Sequence, residues 1–174
     1  MNPQLRLRDA IGEITITYEE MCKYHGKDFL GGVALAFKVL ELAFRKLMDG
    51  EFPERSKIRL VLGFSPPGVM DGIEYATRAL SQHRIIIDPQ VGIGPKSVSG
   101  SYYFEVHYGK KKIVMWLKEG LLPGDFFDLA RKGFSGVATA DELKRWHDYK
   151  VELGAAIIAK DPEEVLEIGE IVSG

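Results

Sequence analysis

"FLGGVALAFKVLELAFRKLMDG", Phe29 to Gly50, is the stretch on which the fold turns. Leu30, Val33, Ala34, Phe37, Leu40, Phe44 and Leu47 recur at steps of three and four, the stripe of a helix buried on one face, and Asp49-Gly50 supplies its stop. Lys38, Glu41, Arg45 and Lys46 interrupt the apolar run, whereas a membrane span wants about 20 mostly uncharged residues. The segment therefore reads as a core helix, and no membrane partner is expected.

The neighbouring segments follow from local signals. Thr17 can cap a short helix running to Tyr24. "SKIRLVLG" (56–63) has the β-branched and aliphatic mix of a strand, "GVMDGIEYATRAL" (68–80) follows as a helix with Asp71 in its first turn, and "RIIID" (84–88) is a second strand. After a loop rich in Gly, Pro and Ser, "SYYFEVHYGKKKIVMWL" (101–117) reads as a hairpin turning at "YGKKK". Pro123-Gly124 opens a helix through "DFFDLARK", Thr139 and Glu142 form a capping box, and Asp161-Pro162 caps a last short helix. Helices, then strands, then helices predict an α+β fold: a small mixed or antiparallel sheet packed against a long central helix, with further helices at both ends. A length of 174 residues with 45% hydrophobic content and no internal repeat predicts one domain over residues 1–174.

Charge and cysteine content narrow the function classes. The 23 basic and 25 acidic residues give a net charge of −2, so no overall field exists to hold a polyanion, and nucleic acid is not expected as a partner. One cysteine cannot form an internal disulfide, and "MNPQLRLRDA" has neither the apolar core nor the cleavage site of a signal peptide, so a cytoplasmic protein is expected.

Two loops resemble nucleotide or hydrolase motifs and fail the match. In "VGIGPKS" (91–97) Pro95 precedes Lys96 where a phosphate loop needs glycine, and no helix signal follows. Lys96 and Ser97 remain either donors to an anion or parts of a plain surface loop. "GFSPPG" (63–68) has one residue too many for a nucleophile elbow, and its prolines spoil the tight turn. It does lead a strand end into a helix start, where Asp71 either serves a site or stabilises its own helix.

"MCKYHGKDFLGG" (21–32) gathers the lone Cys22, His25, Lys27 and Asp28 between two helices, with Lys27, Asp28, Gly31 and Gly32 placed to cap the second. Cys22 and His25 fit zinc or another transition metal but supply only half a tetrahedral set, so any divalent ion would be held openly, with water or a bound molecule. The competing reading is a buried thiol beside a histidine at the negative end of a helix. "RWHDYK" (145–150) reads as a docking face or, more simply, as partial burial of Trp146.

The order of motifs adds a resemblance. "HGKDFLGG", a strand, "GVMDGIEYATRAL", a glycine-rich loop and a hairpin together resemble the core domain of the FmdE-like family, the E component of formylmethanofuran dehydrogenase, over roughly residues 15–135. That family's first motif is similar to His-Gly-His-x-Cys-Pro-Gly: His25, Gly26 and Gly31 match, while Lys27, Phe29 and Leu30 depart from it. Its second is similar to Cys-x-x-Asp-Ala/Gly: Asp71-Gly72 match, and Gly68 stands at the cysteine. The cysteine-rich zinc finger that often follows the core has no counterpart in this sequence.

The resemblance implies an α+β fold, a homodimer and a pocket around His25 and Asp71, in proteins associated with the molybdenum or tungsten enzyme of methanogenesis and related one-carbon metabolism. The expected function is binding of a small anionic or carbonyl ligand by His25, Lys27, Asp71 and Lys96. A divalent metal on His25 and Cys22 is a candidate cofactor, and His25 and Asp71 are the candidate acid or base. The rival is a non-enzymatic accessory module docking on an oxidoreductase through aromatic surface such as Trp116 or Trp146. The shared pocket requires His25 and Asp71 to approach one another, with Lys96 on the facing loop.

Overall fold

The computed structural model describes residues 2–174. Its centre is the apolar stripe read from the sequence. Helix α2 (Leu30–Leu47) buries every residue from Gly31 to Leu40, with Phe37 and Leu40 among the largest fully buried side chains. A helix buried on all sides must be enclosed. Helices α1 (Tyr18–His25), α3 (Pro67–Thr77) and α5 (Ala140–Ile158) flank it, and the remaining side meets the sheet. Lys38 lies inside this buried run, and its ammonium is held by Glu41 at 3.0 Å.

The sheet is mixed, as an α+β fold allows. Strands β3 (Ile58–Leu62), β4 (Ile85–Ile87), β7 (Tyr103–Tyr108), β8 (Lys111–Leu117) and β9 (Leu166–Val172) lie in the order β4-β3-β7-β8-β9. Only β3 and β4 run parallel, joined through α3 as a parallel crossover requires. Alternation sends Ile58, Leu60, Leu62, Phe104, Val106, Ile113, Met115 and Leu117 into the core beneath α2. Tyr103 and Val114 are buried as well, but on the opposite face and outside that cluster. Between β8 and β9 the register slips at Val114/Met115, leaving Gly169 bulged against the Trp116 ring, where a β-carbon would collide. A two-stranded unit of β5 (Lys96–Ser97) and β6 (Gly100–Ser101) sits in the long connection before β7. Helices α4 (Phe126–Ser135) and α6 (Pro162–Val165) complete the chain. Among the described residues no helix is long and apolar enough to cross a membrane.

The expected helices are present near both ends, with strands outside them that the sequence does not announce. The chain opens with an antiparallel hairpin, β1 (Gln4–Arg8) and β2 (Glu13–Thr17), whose Leu5, Leu7 and Ile16 are buried. The residues after α6 form the edge strand β9 instead of finishing as helix. The caps at Thr17, Thr139 and Asp161 stand where the sequence puts them, and each is a capping box in the structure, with Glu20, Glu142 and Glu164.

One contact sets the spacing of the layers. Gly32 and Gly68 meet backbone to backbone, so a β-carbon on either would lie 3.1 Å from the other's α-carbon. We expect Leu40→Ala to cost about 2–5 kcal/mol in urea unfolding, and Gly32→Ala to be destabilising although alanine is the better helix former. A Leu40→Ala midpoint no different from that of the exposed control Lys110→Ala would refute the enclosed position of α2.

Candidate functional site

The site is built where α1 ends. Gly26, at φ 101°, turns the chain out of the helix, and its N–H still bonds to Cys22 O at 2.9 Å. The next helix begins without a side-chain cap: its N-cap is Phe29, in the left-handed region at φ 60°, ψ 65°. This corrects the expectation that Lys27 and Asp28 cap α2. A bulky residue in that region costs about 1–3 kcal/mol unless its surroundings enforce it. Enforcement is visible on both sides. The Phe29 ring packs 5.6 Å from that of Phe126, and the preceding loop is pinned by His25 and Lys150.

His25 makes two bonds. Its Nδ1 lies 2.7 Å from Asp71 Oδ2, and its Nε2 lies 2.6 Å from the Asp28 carbonyl oxygen. A carbonyl only accepts, so Nε2 donates. The His25–Asp71 contact then needs one further proton, carried by the ring or by the carboxyl group. The His25 side chain is 9% exposed and that of Asp71 40%. Asp71 lies one turn into α3, behind Pro67 and outside the first turn, so it does not serve as a first-turn helix stabiliser. The string continues through Asp28, whose carboxylate accepts from Lys150 Nζ at 3.1 Å, and Lys150 sits 4.0 Å above the Trp146 ring.

This latch ties α3, α1, the α1–α2 loop and α5 together. It leaves neither ring nitrogen of His25 with a lone pair for an ion or a substrate proton. Cys22, one turn earlier, meets Tyr18 in a side-chain hydrogen bond. Burial pushes its thiol up from the ordinary range, and the bond from Tyr18 only partly opposes this. A thiol held neutral is a poor metal ligand and nucleophile. Among the described residues there is no group of three or more His, Cys, Asp or Glu that could hold a metal ion.

The other candidate residues are dispersed. Lys27 is exposed. Lys96 lies on β5 opposite Ser101, in the connection whose Gly94 rests on Trp116, and makes no hydrogen bond or ion pair to His25 or Asp71. The structure thus brings together His25 and Asp71, and neither Lys27 nor Lys96 makes a hydrogen bond or ion pair with them. The nearby cavity, between Phe29, Gly32, Pro66, Tyr102, Phe126 and Leu153, has a volume of about 20 Å³. That is room for roughly one water, against about 300–1,000 Å³ for a small-molecule pocket. Trp146 is 5% exposed, packed on Gly133 and edge-on to Phe134, which corrects its reading as a docking aromatic.

One polar group escapes the reading of the sequence. Tyr103, Glu105 and His107 form a hydrogen-bonded line on the sheet face away from α2. Its signal is the alternation of polar residues in "YFEVHY".

No family model matches the chain, and no curated protein matches it.

Two outcomes test the site. His25→Ala should cost about 1–3 kcal/mol by stranding the Asp28 carbonyl and Asp71, whereas a variant as stable as the parent would show that the two bonds hold nothing. Cys22 should react with iodoacetamide at about pH 8 more slowly than a free thiol. Its raised folded-state value also means that its contribution to stability is present below the unfolded thiol's value and lost as pH rises through the folded one. Alkylation at the rate of the urea-unfolded chain would contradict the burial.

Proposed function

We propose that this chain is an FmdE-like module of formylmethanofuran-type one-carbon metabolism that acts by binding and not by catalysis: a cytoplasmic accessory module for an oxidoreductase. The observation that carries the reading is the double engagement of His25. A general base or a metal ligand needs a nitrogen lone pair directed at the reacting group or ion. In His25 both nitrogens face acceptors or a shared proton inside the protein.

The positions where the resemblance would put thiols support the same reading. Phe29 fills one and packs on Phe126. Gly68 stands at the other, pressed on Gly32 so closely that a cysteine β-carbon would crowd the neighbouring backbone. The metabolic context rests on the resemblance in motif order, with His25-Gly26, Gly31 and Asp71-Gly72 as the matching residues.

Metal analysis and melting of the chain and its His25→Ala variant test the proposal together. We expect negligible zinc and other transition metals in both, a lower melting temperature for the variant, and no stabilisation by a small anionic or carbonyl compound that His25→Ala abolishes. Near-stoichiometric metal that His25→Ala abolishes would restore the metal pocket. A rise of several degrees with one compound, lost in His25→Ala, would restore the ligand pocket. The accessory role further predicts co-purification with a molybdenum or tungsten oxidoreductase, and recovery of the chain free of any such enzyme from cells that make one would count against it.

A further inference from the structure

The sheet face away from α2 carries polar side chains that the His25 latch does not use. Tyr103, Glu105 and His107 alternate along β7 and so share that face. The Tyr103 hydroxyl donates to Glu105 Oε1 at 2.6 Å, and Glu105 Oε2 lies 2.7 Å from His107 Nε2. Burial works to raise the Glu105 carboxyl, but the bonds from Tyr103 and His107 together outweigh it and hold the group below the usual range. Glu105 is therefore a carboxylate with both oxygens taken. It fixes the His107 proton on Nε2 and turns Nδ1 outward, with no protein partner among the described residues.

The strand registers place cations on either side. Arg59 of β3 and Lys112 of β8 stand directly opposite His107, so the row crosses three strands and spans about 10 Å. Arg59 is exposed and makes no ion pair among the described residues. Lys112 is held by Glu170 of β9 at 3.1 Å. The charged groups facing His107 are thus Glu105 on its own strand, Arg59 and Lys112 from its neighbours, and Glu170 one strand further.

We propose that the Arg59–His107–Lys112 row is a binding site for an oxoanion, a carboxylate or phosphate group. The Arg59 guanidinium presents its paired donors to the anion, and His107 donates from a protonated Nδ1. Glu105 is a positioning residue: its bond to Nε2 orients the ring. The same Nδ1 is a poor cation ligand, since the fixed charges of Arg59 and Lys112 flank it. The site is independent of the His25 latch.

Ring ¹⁵N spectra of His107, recorded on the whole chain during titration with inorganic phosphate and, separately, acetate, test this. At about pH 6 we expect a saturable shift with at least one anion. At about pH 8 the same titration should show weaker affinity. Arg59→Gln, a change at an exposed position, should weaken binding about two- to fivefold, and Glu105→Gln should reduce the pH dependence. Lys110→Gln on the adjoining turn should leave the affinity unchanged. Saturation by phosphate alone or by acetate alone assigns the oxoanion. Absence of a saturable shift with both, or a shift in Arg59→Gln equal to that of the parent, would overturn the site.

Discussion

The backbone contact between Gly32 and Gly68 governs much of what surrounds it. Two helices can approach this closely only where neither carries a side chain, and here both lack one at the same point. The approach brings α3 against the buried start of α2, and with it Asp71 within reach of the last residue of α1. Gly72 continues the seam, since a β-carbon there would lie 2.7 Å from that of Ala36. The His25–Asp71 pair is thus a product of packing before it is a feature of chemistry.

An aspartate–histidine pair invites a catalytic reading because such pairs orient imidazoles in many enzymes. The difference here lies in the second nitrogen. In a catalytic dyad it faces the substrate, whereas Nε2 of His25 donates to a main-chain carbonyl three residues on. The ring consequently spends both its polar atoms on holding the loop from Gly26 to Phe29. That loop needs holding, because Phe29 occupies a left-handed conformation that its own side chain disfavours. Lys150 reinforces it from α5, with its ammonium shared between Asp28 and the face of Trp146.

Legibility in the sequence follows the strength of local signals. The α2 stripe, the three helix caps and the turn at Gly109 each have a local signal in the sequence, and each stands in the structure. "QLRLR" and "EITIT" carry the period-2 alternation of strands, but the opening hairpin is hard to read because they are short and meet at a turn, Asp9 to Gly12, that lacks an Asn-Gly or Asp-Gly pair. "LEIGEIV" is hidden by its glutamates, which suit an edge strand but resemble a helix end, and by Gly169, whose role is to clear space for Trp116. The approach of His25 to Asp71 can be anticipated from the order of motifs. Lys150 meeting Asp28 cannot, since nothing local links positions on opposite sides of the sheet-forming segment.

The order of strands has a consequence for how the chain acquires its shape during synthesis. Strands β3, β7 and β8 can pair soon after they emerge, but β8 receives its outer neighbour only when β9 has been made, across the whole of α4, α5 and α6. Until then the outer backbone of β8 is an open edge, beside the apolar Ile113 and Met115. Closing so long an intervening segment is slow relative to forming a hairpin. The charges "KKK" at positions 110–112, at the start of β8, are of the kind that discourages an open edge from pairing with another chain.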